Sequence, residues 1–149
     1  MEQHSKARAI RVLIADDHTL FAEALAIALR NDPRFEVVGM AENGRQAVEL
    51  GSSLQPDVVL MDLHMPVLDG IEATRLLGRT APRSRVVVVT ASTSPEDGAR
   101  AQAAGACAYI RKWASAEDLR EAVVEATADP VPFRNRWSTG MTRLILRSA

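Results

Sequence analysis

Five short apolar runs, separated by stretches with helical spacing, constrain this chain more than anything else in its sequence. The runs cover residues 10–15, 36–41, 57–61, 85–90 and 107–110 and are rich in Val, Ile and Leu. Most are nearly continuous rather than alternating, the pattern of strands covered on both faces in a parallel sheet. Between them, Phe21, Leu25, Ala28 and Leu29 recur at i, i+4, i+7 and i+8, and Leu119, Ala122, Val123 and Ala126 at i, i+3, i+4 and i+7. Each set marks one buried helical face.

Helix starts are also legible. Asn43 precedes Gln46, and Asp69 precedes Glu72, at capping-box spacing. Ser94 is followed by Pro95, Glu96 and Asp97, and Ser115 stands before Glu117 and Asp118, so acids fall where the helix dipole favours them. Asn31-Asp32-Pro33 stops the first helix. Five β–α units in succession require crossover connections and a parallel sheet with helices on both faces. The expected fold is α/β, a flavodoxin-like doubly wound sheet of (βα)5 type in the order 2-1-3-4-5. A loose N-terminal lead at residues 1–9 precedes a single domain at 10–128. A basic linker or tail with a short helix follows at 129–149.

Composition supports this reading. The 149 residues are 47% hydrophobic and 25% charged, a globular balance. The net charge of −1 provides no global field for nucleic acid. It is unevenly spread: residues 1–129 carry 14 basic and 19 acidic side chains, whereas 130–149 carry Arg134, Arg136, Arg143 and Arg147 and no acid. The single cysteine, Cys107, cannot form an internal disulfide. No apolar run reaches the roughly 20 residues needed to span a bilayer, and Asp16-Asp17 ends the first run too early for a secretion signal. These features point to a cytoplasmic protein with no membrane partner.

In an open α/β sheet, ligands bind beyond the carboxyl ends of the strands near the switch in strand order. Asp16-Asp17 follows the first strand, Asp62 the third, Thr90 ends the fourth and Lys112 follows the fifth. With strands 1 and 3 adjacent, three carboxylates converge. Such a group needs a compensating cation, and hard oxygen donors suit Mg²⁺. Thr90 and Lys112 add a hydroxyl and an ammonium suited to a phosphoryl anion. Asp62, central among them, is placed as a carboxylate nucleophile. Singly, each residue has a plainer reading: a solvated acidic loop, a β-branched strand end, one cation in a surface run. His18 and His64 have no second His or Cys at ligand spacing, so the spacing does not point to zinc.

The acidic pair Asp16-Asp17, the segment Asp62-Leu-His-Met-Pro-Val-Leu-Asp-Gly70, Thr90 and Lys112, in that order at successive strand ends, resemble the receiver domain of two-component response regulators. The resemblance covers residues 10–128. It implies that Asp62 is the phosphoacceptor and that Mg²⁺ is held by Asp16, Asp17, Asp62 and the backbone carbonyl of His64. It further implies that Lys112 contacts the phosphoryl group, that Thr90 follows it and that Tyr109 changes rotamer in concert. The surface of helix 4, strand 5 and helix 5 is then the output face, and a histidine kinase is the phosphodonor. The chain is no enzyme toward other substrates and catalyses only its own phosphorylation and dephosphorylation. Trp113 departs from the proline, aspartate or serine common after the lysine.

Asp16-Asp17-His18 and the Gly105-Ala106 step most resemble regulators with a C-terminal helix-turn-helix. Twenty residues cannot hold such a reader, so DNA contact is expected only through an output domain absent from this chain. The tail resembles the helical linker that precedes one. Its alternative is a helix docking on the receiver or pairing with a second copy in a homodimer. Two rival functions are a stand-alone receiver acting by protein contacts and a phosphate-independent pseudo-receiver. A flavin or nucleotide binder lacks its glycine-rich first loop, since Asp-Asp-His-Thr stands there.

Overall fold

The computed structural model describes residues 8–128 and the backbone of 134–136. Strands β1 (Ile10–Ala15), β2 (Phe35–Ala41), β3 (Val58–Met61), β4 (Arg85–Thr90) and β5 (Ala108–Arg111) alternate with helices α1 (Thr19–Arg30), α2 (Gly44–Leu54), α3 (Gly70–Thr80), α4 (Pro95–Ala104) and α5 (Ala116–Ala126). All strands are parallel and the five run in the order 2-1-3-4-5, as expected. Every expected strand lies within one residue of its apolar run.

Strand alternation divides the core in two. Val12, Ile14, Leu60, Val87 and Ile110 face α1 and α5, where they pack on Leu25, Leu29, Leu119 and Val123. Leu13, Val59, Met61, Val88 and Tyr109 face the opposite layer and meet Ala47, Ile71, Leu77 and Ala101 of α2, α3 and α4. Fully burying a Leu or Val contributes about 1.5–3 kcal/mol, and both faces do so along β1, β3 and β4.

Asn43, Asp69 and Ser115 accept the backbone N–H groups of Gln46, Glu72 and Asp118 as the capping pattern requires. Ser94 does not: its side chain makes no cap bond, and the Ser92 hydroxyl oxygen instead accepts the Ser94 N–H at 3.2 Å. The tail also differs from expectation. Residues Arg134–Arg136 form a sixth strand, β6, parallel to β5 with Tyr109 opposite Asn135. The short helix expected near residues 138–147 and most of the N-terminal lead lie outside the described residues.

Candidate functional site

The sheet ladder itself assembles the site. Asp62 N–H donates to the Ala15 carbonyl at 2.9 Å, and Lys112 N–H to the Thr90 carbonyl at 3.0 Å, so pairing continues one step past the strands. Asp16 and Asp62 therefore stand side by side, each residue only 3% exposed. Lys112 reaches across from β5, its Nζ 2.9 Å from Asp16 Oδ2 and 3.3 Å from Asp62 Oδ2. The ring of Phe21 on α1 lies 4.7 Å from the same ammonium, an attraction of about 1 kcal/mol that steadies the long side chain. Asp17 is more open, with a third of its side chain exposed.

Gly70, first residue of α3, sets the depth of Asp62. A Cβ there would lie 2.0 Å from the Asp62 carbonyl oxygen, so only glycine lets the helix start press against the acceptor's backbone. The intervening loop is strained: Val67 holds φ at 71°, a conformation costly for a β-branched residue. It carries His64, whose N–H donates to the Asp62 carboxylate and whose Nε2 lies 3.8 Å from Asp97 Oδ2.

Burial pushes the Asp62 carboxyl above its ordinary range and the Asp16 charge adds to this, while Lys112 and the His64 N–H oppose. Burial alone would lower Lys112, but its hydrogen bond to Asp16 and the charges of Asp62 and Asp16 raise it above a free lysine. Three carboxylates facing one ammonium leave two uncompensated negative charges. A small divalent cation with oxygen preference balances that deficit, so the donor set fits Mg²⁺, with Asp16, Asp17 and Asp62 offering oxygens within 4.8 Å of one another.

Thr90 is fully buried at the end of β4 and its Oγ1 accepts the Ser92 N–H at 3.2 Å. Tyr109 is also fully buried, and burial pushes its phenol up while a hydrogen bond with Ser92 opposes. Trp113 is exposed and stacks against Arg111 at 4.8 Å.

The site thus brings together Asp16, Asp17, Asp62 and Lys112. Thr90 lies on the strand beside Asp62, and Tyr109 one strand further, inside the core. Three contributors were not picked out for this site from sequence. Phe21 reads simply as core. Asp97 reads as a dipole-favoured acid of α4, yet it is buried, bonded to the Ser92 hydroxyl and 3.4 Å from Arg100. His18 has no second His or Cys at ligand spacing and is set aside on that ground, but its Nδ1 lies 3.2 Å from Asp16 Oδ1 and 3.3 Å from Asp17 Oδ1.

Residues 12–124 match the family model of the response regulator receiver domain. The response regulator GacA of Pseudomonas aeruginosa is 40% identical over 119 residues, covering 80% of this chain and 56% of that protein. The nitrate/nitrite response regulator protein NarL of Escherichia coli is 37% identical, covering 78% and 54%. The chain therefore spans about half the length of these relatives. Among solved structures, the signal receiver domain of the putative response regulator NarL from Mycobacterium tuberculosis superposes with a TM-score of 0.79 at 30% identity, covering 81% of this chain and 98% of that one. The response regulator domain of Thermotoga maritima CheB gives 0.77 at 36% identity, covering 83% and 100%. No helix among the described residues is long and apolar enough to cross a membrane. With a parallel sheet in the order 2-1-3-4-5 and acids gathered at its carboxyl edge, the chain belongs to the receiver domain family of two-component response regulators.

Proposed function

We propose that this chain accepts a phosphoryl group on Asp62 from the phosphohistidine of a histidine kinase and passes the change to the surface of α4, β5 and α5. The observation that carries this is the buried Asp62 carboxylate, seated between Asp16 and the Lys112 ammonium at the carboxyl end of β3. In the transfer, an Asp62 carboxylate oxygen forms a bond to phosphorus as the P–N bond of the donor breaks, and the electron pair leaves with the imidazole. Asp16, Asp17, Asp62 and the His64 carbonyl would hold Mg²⁺, which supplies charge neutralisation at the transferred oxygens when bound. Lys112 lies close enough to Asp62 to neutralise further charge, and Phe21 and Asp16 hold it there. Leu20, at the start of α1 beside this edge, leaves its apolar side chain in water, and Ile27 does the same about two turns further along the helix, a surface suited to a docking donor.

Phosphorylation adds about −1.5 to −2 charges and three acceptor oxygens. Thr90 then donates its hydroxyl to the new group and gives up its contact with the Ser92 N–H. The movement frees room for Tyr109 to repack, and a close-packed interior converts it into a discrete shift of α4. Such a chain serves as the regulatory part of a transcription regulator, a reading supported by its resemblance to proteins such as the transcriptional regulatory protein LiaR of Bacillus subtilis, 37% identical.

The test is intact mass after incubation with acetyl phosphate. One phosphoryl group is expected on the wild type with Mg²⁺, and none with chelator or in Asp62→Asn. Equal uptake by Asp62→Asn overturns the assignment.

A further inference from the structure

The phosphoryl chemistry above leaves His18 unused, although its ring stands at the acidic pocket. Its Nδ1 lies 3.2 Å from Asp16 Oδ1, 3.3 Å from Asp17 Oδ1 and 3.9 Å from Asp62 Oδ2. One donor atom from each of the four residues falls within 4.8 Å of the others. The same nitrogen lies 3.2 Å from Lys112 Nζ, which also contacts Asp16 Oδ2 at 2.9 Å and Asp62 Oδ2 at 3.3 Å. The ammonium therefore marks a point where two carboxylates and an imidazole nitrogen converge on one cation.

In the tautomer with the ring proton on Nε2, Nδ1 accepts from the ammonium and turns its lone pair toward the cation, as a metal ligand must. The backbone holds the ring there. His18 is the N-cap of α1 in extended conformation, and its N–H donates to Asp16 Oδ1 at 2.8 Å. Spacing along the chain hides this set, because the donors come from one loop after β1 and one after β3.

Mg²⁺ gains little from a nitrogen donor, since it selects oxygen and retains water. Imidazole shifts a site toward Zn²⁺ and other first-row transition ions, and three carboxylates with one imidazole complete the four positions Zn²⁺ takes in a closed site. We infer that His18 makes this pocket a four-ligand site for a first-row transition dication of the Zn²⁺ class, which displaces the Lys112 ammonium and engages Asp62. The inference rests on the pocket being the metal centre proposed above. A closed site of this kind competes with Mg²⁺ and withholds the Asp62 oxygen from phosphorus.

Two measurements on the full chain, free of tags and stripped of metal, test it. Calorimetric titrations with Zn²⁺ and with Mg²⁺ give the ratio of the two affinities. His18→Ala should lower that ratio at least about tenfold, the minimum loss typical when even an outer-shell partner of a metal is removed. Pulsed electron paramagnetic resonance of the Mn²⁺-loaded chain should show a ¹⁴N coupling in the wild type that disappears in His18→Ala. An unchanged ratio, or bound Mn²⁺ without nitrogen coupling in the wild type, overturns the His18 assignment alone. A wild type that binds neither Mg²⁺ nor Mn²⁺ overturns the metal centre itself.

Discussion

Asp62→Asn should stabilise the metal-free protein, although it removes half of a buried ion pair. The reason lies in the distances. At an effective dielectric of about 20, two like charges 4.8 Å apart, the upper limit among these carboxylates, repel by about 3.5 kcal/mol. Asp62 has two such neighbours, of which Asp17 is a third exposed and screened by water. Lys112 at 3.3 Å returns about 5 kcal/mol. Two repulsions of about 3.5 kcal/mol against an attraction of about 5 kcal/mol leave about 2 kcal/mol against the charge, about 1 kcal/mol once the exposed Asp17 is screened. Burial, the largest cause of the raised carboxyl, adds to the same side. Asparagine keeps the shape and still accepts from Lys112, which retains Asp16. The expected gain is about 1–2 kcal/mol, or about 3–6 °C in Tm for a chain of this size. Urea unfolding with chelator present measures it.

The same reasoning sets the pH dependence. The folded chain binds the Asp62 proton more tightly than the unfolded chain. Wild-type stability therefore falls as pH rises from the ordinary carboxylate range through the raised Asp62 value. Asp62→Asn lacks that loss, so the gap between the two proteins should open toward neutral pH and close toward acid. An Asp62→Asn protein less stable than the wild type by 1 kcal/mol or more, by this order-of-magnitude reckoning, would show that the Lys112 pair outweighs the repulsion and would refute the reasoning.

Three further outcomes are expected. Gly70→Ala, whose Cβ would lie 2.0 Å from the Asp62 carbonyl oxygen, should lose about 2–3 kcal/mol and slow phosphoryl uptake by about 100-fold, because the acceptor's backbone must move; unchanged uptake kinetics would contradict the close approach. Val67→Asn relieves the positive φ of an exposed side chain and should raise stability by about 1 kcal/mol in urea titration. Thr90→Ala should still gain a phosphoryl group by mass, yet the amide shifts of α4 on phosphorylation should shrink; full-size shifts would remove Thr90 from the switch.

Much of this fold is written locally. The apolar runs, the caps at Asn43, Asp69 and Ser115, and the Pro33 stop each act through neighbours a few residues away, so sequence reading finds them. The central acids were legible because successive strand ends share one edge of a parallel sheet, which brings Asp16, Asp62 and Lys112 together once the strand order is known. Other features depend on partners distant in sequence. β6 is too polar to announce itself: Arg134-Asn135-Arg136 has no apolar pattern, and its pairing runs through backbone groups that every sequence possesses. Asp97 looks like an ordinary first-turn acid until the β4–α4 connection folds Ser92 over it. His18 shows no metal spacing because its companions include residue 62. Phe21 carries the helical period of a core residue, and only the reach of Lys112 from β5 turns its ring into a cation partner.

The central claim is that Asp62, and no other group, receives phosphorus. Borohydride reduces an aspartyl phosphate to homoserine, so reduction after phosphorylation, followed by peptide mass spectrometry, reads the position directly. The account predicts homoserine at residue 62 alone, present with Mg²⁺ and absent with chelator. Homoserine at another aspartate, or a phosphorylated chain with residue 62 intact, would contradict it.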